Sequence, residues 1–178
     1  MKRKSTVYVV QAGVIAALYA ALTILQNTLL PGTASMPVQF RISEVLTILA
    51  VFTPAAIPGL TIGCVIANIS SLSALGPYDM IFGSLASLAA ALLMYVLRNV
   101  RFFSLPVLSA LMPAVANGII VGFEIEFFFI EGAFHFESFL IQGGLVALGE
   151  LAVLLVLGLP LAKLIEKQGF DKKLLAVK

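Results

Sequence analysis

The feature that most constrains this chain is a succession of long apolar runs divided by short polar breaks. The first, Val7–Leu30, holds no acidic or basic side chain, and Lys2, Arg3 and Lys4 stand directly before it. A hydrocarbon layer roughly 30 Å thick takes about 20 apolar residues of helix to cross. Across all 178 residues, apolar types make up 61% and charged types 11%, with a mean hydropathy of +1.09. Soluble domains are nearer about one half apolar and one quarter charged. Too few charges remain here to coat a water-facing surface. The chain therefore reads as an all-α, multi-pass protein of the cell membrane, one membrane domain over residues 1–178.

Six spans are predicted, at 7–30, 42–52, 57–75, 80–97, 105–129 and 138–164. Pro31-Gly32-Thr33 ends the first; its run is long and lacks a small-residue cleavage site, so it is expected to be a span and not a cleaved leader. The second is short, since eleven residues of α-helix reach only about 17 Å, and Thr53-Pro54 closes it. It counts as a crossing because the apolar run from Ile57 returns. Gly76-Pro77 ends the third span and Arg98-Asn99-Val100-Arg101 the fourth. Pro113, Glu124 and Glu126 interrupt the fifth, and Glu150 the sixth.

Basic residues set the orientation. Six crossings with both termini in the cytoplasm place Lys2, Arg3, Lys4, Arg98, Arg101, Lys163, Lys167, Lys172, Lys173 and Lys178 inside, ten of the eleven basic residues. Only Arg41 lies outside. Five or seven spans would divide these clusters between the two sides.

Acids follow the opposite pattern. Glu166 and Asp171 are in the tail, while Glu44, Asp79, Glu124, Glu126, Glu131, Glu137 and Glu150 fall in the outer half or within a span. Glu126, Glu131 and Glu137 are near span ends and read as headgroup residues. Glu44, Glu124 and Glu150 are harder to dismiss, because a charge in hydrocarbon costs at least about 2.5–3.5 kcal/mol and so faces a cavity or a partner. Arg41 and Glu44, three apart, can pair on one helical face. Asn117 and Glu124 share a face of the fifth span, Asn68 comes from the third, Tyr78 and Asp79 from the outer end of the fourth, and Gln142 and the deeper Glu150 from the sixth. Polar groups from five spans at one level point to a solvated pocket open to the outside. Carboxylates, amides and one arginine suit a small ligand rich in N–H donors. Phe40, Tyr78, Phe82, Phe123 and Phe127 lie at the same level and could stack a planar ring, although phenylalanines in a bundle usually pack or meet lipid.

The first span carries small residues in adjacent stripes, Ala12, Ala16 and Ala20 beside Ala17 and Ala21. Such spacing lets another helix come close, whether within the bundle or in a partner. Catalytic signals are absent: there is no G-x-x-x-x-G-K-[ST], G-x-S-x-G or H-E-x-x-H. Cys64 and His135 stand alone, which leaves no disulfide, no redox pair and no expected metal or other cofactor. Neither an enzyme nor a nucleic-acid binder is expected.

Longer runs resemble a known family. Val38-Gln39-Phe40-Arg41-Ile42-Ser43-Glu44, Thr53-Pro54-Ala55-Ala56-Ile57-Pro58-Gly59-Leu60 and Gly63-Cys64-Val65-Ile66-Ala67-Asn68 are similar to the queuosine-precursor family of substrate-binding S components of energy-coupling-factor (ECF) transporters. Phe82-Gly83-Ser84-Leu85-Ala86-Ser87-Leu88 and Ala116-Asn117-Gly118-Ile119-Ile120-Val121-Gly122-Phe123-Glu124 extend the likeness. The resemblance implies a six-helix S-component bundle that holds a 7-deazaguanine, such as the 7-aminomethyl or 7-cyano form, beneath the loop after the first span. It also implies a transmembrane coupling subunit, docked on the alanine stripes, and two ATPase subunits on other chains. Under it, Glu124 or Glu44 meets the guanine edge, Asn117 and Asn68 take the remaining polar atoms, and Arg41 orients Glu44 or reaches the ligand carbonyl. Three functions are thus weighed: an S component for this or another vitamin, a stand-alone proton-coupled transporter using Glu124 or Glu150, and a structural membrane subunit.

Overall fold

In the computed structural model, residues 2–31, 33, 38, 40–70, 72 and 76–172 are described, with side chains from Ser5 onward. Sequence readings that fall on Gly32, Gln39, residues 71 and 73–75, Lys173 and Lys178, or on the side chains of Lys2, Arg3 and Lys4, lie outside these residues. The described residues form helices and no strand. In chain order these are α1 (Lys2–Leu29), α2 (Ile42–Val51), α3 (Ala56–Ile69), α4 (Tyr78–Val96), α5 (Val107–Phe129) and α6 (Phe136–Gln168). Among the described residues, α1, α4, α5 and α6 are long and apolar enough to cross a membrane, and α2 and α3 are shorter apolar helices.

Helix α2 departs most from expectation. It is a 3-10 helix of ten residues, and at a rise of about 2.0 Å per residue it reaches about 20 Å. Thr47 Oγ1 donates to the Glu44 carbonyl at 2.7 Å, a local bond one 3-10 turn back that suits the tighter winding. Six of its residues, Ser43, Glu44, Thr47, Ile48, Ala50 and Val51, are buried. The short helix is the centre of the protein: α1, α3, α4, α5 and α6 all pack on it. Along the outside, the main contacts run from α1 to α3, then α4, α5 and α6, so five helices form a curved wall around α2.

Close approach between wall helices depends on missing side chains. Gly59 and Gly63 of α3 face α1. A Cβ built on Gly63 would stand 2.8 Å from the Ala16 carbonyl oxygen and 2.9 Å from the Tyr19 Cβ. A Cβ on Gly122 would stand 2.6 Å from the Gly143 Cα, so α5 and α6 touch backbone to backbone. Small residues are how helices gain contact in lipid, where no hydrophobic force drives them together. This packing divides the alanines of α1. Ala16 and Ala20 are buried inside the chain and Ala12 lies against Gly59, whereas Ala17 and Ala21 are exposed on the outer surface together with Gly13.

Both long C-terminal helices widen into π turns, at Ile125–Phe129 in α5 and Leu154–Gly158 in α6. Pro160 follows the second, where the widened backbone accommodates a residue with no N–H to give. Past it, α6 spans 33 residues in all, about 50 Å, well beyond the predicted end at Leu164. Its tail meets the α4–α5 connection, where Arg101 and Glu166 form an ion pair at 2.5 Å. The basic ends of α4 and α6 are therefore on the same side of the bundle.

Gly63→Leu is expected to destabilise the fold by about 1–3 kcal/mol through overpacking against α1. Thermal unfolding of the detergent-solubilised protein should show a lower midpoint for this variant and none for Gly13→Leu, because a Cβ at Gly13 meets nothing within 4 Å.

Candidate functional site

An integral membrane bundle has little reason to bury polar groups unless they bond or serve a ligand. Here they gather at the end of α2 that follows the α1 connection. The sequence brings them there through α1, where Tyr19, Thr23 and Gln26 recur at i, i+4 and i+7 and so share one face. Gln26 is buried and holds both sides of the entry to α2: its Nε2 donates to the Phe40 carbonyl at 2.5 Å, and its Oε1 accepts from the Ile42 N–H at 2.8 Å. Thr23 Oγ1 lies 2.7 Å from Ser43 Oγ. Tyr19 is fully buried and its hydroxyl donates to Glu44 Oε1.

Arg41 precedes α2 in an extended conformation, φ −76° and ψ 106°. The expected pair with Glu44 along one helical face gives way to a pair across the bundle. Arg41 Nη2 sits 3.4 Å from Asp79 Oδ1 on α4, both side chains under a tenth exposed, while Glu44 takes the Tyr19 hydroxyl. Being outside the helix, Arg41 does not follow the i, i+3 geometry on which that expectation rested. Asn68 of α3 donates from Nδ2 to the Asp79 backbone carbonyl at 2.8 Å. The absence of a side chain at Gly83 leaves room for this contact, since a Cβ there would be 3.0 Å from Asn68 Nδ2.

Two further glutamates complete the set. Glu124, at the last α-helical turn of α5, is within Coulombic reach of Asp79 and Arg41. Glu150 of α6 is within reach of Glu44 and Arg41. The guanidinium thus stands among four buried carboxyl groups. Among the described residues, Glu44 Oε2, Asp79 Oδ2, Glu124 Oε2, Glu150 Oε2 and Asn117 Nδ2 are buried with no hydrogen-bond partner. Such groups are uncommon in native proteins because each forfeits its water without replacement. The cluster can hold an external N–H-rich or cationic group, and as a set it offers far more acceptors than donors.

The remaining expected residues are placed differently. Asn117 is buried on α5, one helical face with Glu124. Gln142 is half-buried on α6 and joins none of these bonds among the described residues. Tyr78 is partly exposed and stacks on Phe128, ring centroids 4.2 Å apart at 23°, at the rim of the cluster. Phe82, Phe123 and Phe127 belong to a wider aromatic group, and Phe82 and Phe123 help line an apolar groove of about 510 Å³ between α4, α5 and α6 with Leu85, Leu92, Ile119 and Phe139. The side chains that line that groove are all apolar, whereas the polar groups are gathered in the buried cluster. Glu126, read from the sequence as a headgroup residue, is buried and accepts the His135 N–H at 3.0 Å, closing the entry to α6. Glu131 and Glu137 are exposed. Among the described residues no cluster of His, Cys, Asp and Glu could hold a metal ion.

Comparison with known proteins identifies a family of transporters. A family model described as QueT transporter matches residues 9–167. A protein of Lactococcus lactis subsp. cremoris (strain MG1363), named queuosine precursor transporter QueT, is 32% identical over 162 residues, covering 88% of this chain and 90% of its own length. No solved structure matches.

Removing the buried guanidinium should be costly. Arg41→Met is expected to destabilise by about 3–5 kcal/mol, because it leaves buried carboxylates uncompensated. The double variant Arg41→Met/Asp79→Asn should regain part of that loss, measured as thermal unfolding midpoints of the purified protein in detergent.

Proposed function

The chain belongs to the QueT transporter family, and from this we propose that it is the substrate-binding S component of an ECF importer that captures a queuosine precursor from outside. The family is one of transporters, not of enzymes, and the chain is a multi-pass membrane protein. The observation that carries the reading is the buried cluster itself: Arg41, Glu44, Asn68, Asp79, Glu124 and Glu150 converge from α2, the residue before it, and α3 to α6, with four carboxylate oxygens unbonded among the described residues.

A 7-deazaguanine fits that chemistry. Its guanine edge presents adjacent ring N–H and amino donors, which a carboxylate accepts in parallel as charge-assisted bonds. Glu124 is the better candidate for that role than Glu44, since the Tyr19 hydroxyl already occupies one Glu44 oxygen. A 7-aminomethyl group would bring a cation toward a second acid, Glu44 or the deeper Glu150, and a 7-cyano group would not. Asn117 and Asn68 would meet the remaining polar atoms, with Arg41 orienting Glu44 or reaching the ligand carbonyl. Tyr78 and Gln142 stand at the outer margin of such a site.

In this proposal all six helices cross in one domain, both termini are cytoplasmic, and ATP is hydrolysed by two partner subunits joined through a transmembrane coupling subunit. The exposed stripe Gly13, Ala17 and Ala21 supports docking of that subunit. Of the other half of the expected docking face, Ala12 and Ala16 are engaged by α3 and Ala20 is buried inside the chain, so their replacement would disturb the fold first.

Calorimetry on the purified protein without ATP is expected to show tight binding of 7-aminomethyl- or 7-cyano-7-deazaguanine and none of riboflavin. Glu124→Gln should weaken that binding by about tenfold to a hundredfold, the loss of a charged hydrogen bond worth about 1.5–3 kcal/mol. Absence of binding by any purine would overturn the substrate. Gradient-driven uptake by liposomes holding this chain alone would overturn the S-component role.

Ala17→Leu separates docking from capture: ATP-driven uptake by cells should be lost while calorimetric binding is kept. Loss of both would place Ala17 in the fold and not in an interface.

A further inference from the structure

The connection between α4 and α5 is a tight reversal with an unusual tip. Phe102 and Leu105 exchange two backbone hydrogen bonds, each 2.9 Å, around the two-residue turn Phe103-Ser104. Both turn residues have left-handed backbones, φ 48° at Phe103 and φ 66° at Ser104. Turns of this kind favour Asn-Gly, and a bulky residue there is a genuine outlier. Strain of this sort persists where its surroundings hold it and often marks function.

The surroundings do hold it. Arg101, at the base, bonds Glu166 of α6 at 2.5 Å and the Ser104 carbonyl at 3.4 Å. Arg98 folds back over the Tyr95 ring, its guanidinium carbon 3.9 Å from the centroid. Pro106 is buried and fixes the exit into α5. Among the described residues, no packing recovers the cost, however. Phe103 is 101% exposed, Phe102 54% and Val100 39%. A wider, relaxed loop could fold these rings back onto the helix ends; the tight reversal forces them outward.

Position says what they meet. Val96 ends α4 and Val107 opens α5, so the tip lies a few residues from two span ends, at headgroup depth. Tyr95, Arg98 and Arg101 are residue types that settle at that boundary, with aromatic rings at the interface and guanidiniums facing lipid phosphates. We propose that the 98–106 reversal is a lipid anchor, placing Phe102 and Phe103 at the headgroup–acyl boundary of an anionic leaflet with Arg98 beside its phosphates and Arg101 held by Glu166 at the base of the turn. The anchor fixes the depth of the α4–α5 end of the bundle and is independent of which ligand is carried. In the proposed orientation, with both termini cytoplasmic, this is the cytoplasmic leaflet.

The chain has no tryptophan, so Phe103→Trp gives a single reporter. The full chain carrying it is reconstituted in phosphatidylcholine–phosphatidylglycerol vesicles whose acyl chains are brominated near the headgroup or near the methyl end. Blue-shifted emission, quenched most by the shallow bromines and little by iodide present on both sides, is the expected result. Emission typical of water, quenched by iodide and not by brominated lipid, would overturn the anchor and leave the tip to a protein partner. Strongest quenching by the deep bromines would also overturn it, because the turn would then lie within hydrocarbon. A nitroxide on Phe103→Cys repeats the test with a smaller change, since Cys64 is buried away from the label. Collisions with lipid-soluble oxygen should exceed those with water-soluble nickel, and the reverse ranking would overturn the proposal.

Discussion

Burying the guanidinium of Arg41 is the act on which the rest of this structure depends. An ion taken out of water loses several kcal/mol even after relaxation, and an ion pair recovers that only with good geometry and further bonds. Asp79 answers the charge from α4, Asn68 fixes the Asp79 backbone, and Gln26 holds the chain on both sides of Arg41. Each of these partners belongs to a different helix. The pair is therefore a cross-brace, and α2, the shortest helix, is central because it delivers Arg41 and Glu44 to the place where the wall helices can reach them.

The apolar part of the bundle obeys a different rule. In lipid, helices gain little by hiding hydrophobic surface from each other and gain by close backbone contact. Gly59 and Gly63 bring α3 onto α1, and Gly122 meets Gly143 between α5 and α6. Once α1 is seated in that way, only its outer stripe of Gly13, Ala17 and Ala21 is open to another helix. One segment thus serves both as an internal wall and as a flat outer face, because successive small residues point about 100° apart around a helix.

Four carboxyl groups around one guanidinium form a site that is incomplete by its own chemistry. Structural networks tend to satisfy every member, whereas this one leaves one oxygen on each acid without a partner among the described residues. A ligand contributing donors, or a positive charge, would complete it. Both Glu124 and Glu150 stand just ahead of π turns, a local widening that recurs at functional sites. Their carboxyl groups come from helices whose backbones already depart from regular geometry.

Much of this was legible in the residues. The apolar runs, the breaks at Pro31, Pro54 and Pro77, and the basic groups at Arg98 and Arg101 determine a helical membrane protein, because hydrocarbon leaves the backbone no other partner than itself. Intramembrane Glu44, Asn68, Glu124 and Glu150 could be singled out for the same reason: their burial carries a cost that needs an explanation. The face of Tyr19, Thr23 and Gln26 was missed, because an apolar run hides three scattered polar residues, although their i, i+4, i+7 spacing is a signal that could have found it. Tertiary structure alone decided which groups pair. Arg41 reaches Asp79, thirty-eight positions away, and not Glu44 three positions on, since pairing across the bundle depends on where α4 lies and no periodicity encodes it. Tertiary structure likewise divided the alanines of α1 into a buried and an open stripe, a choice set by two glycines on α3. Local sequence determines what each segment can be; distance between segments is a property of the packed whole.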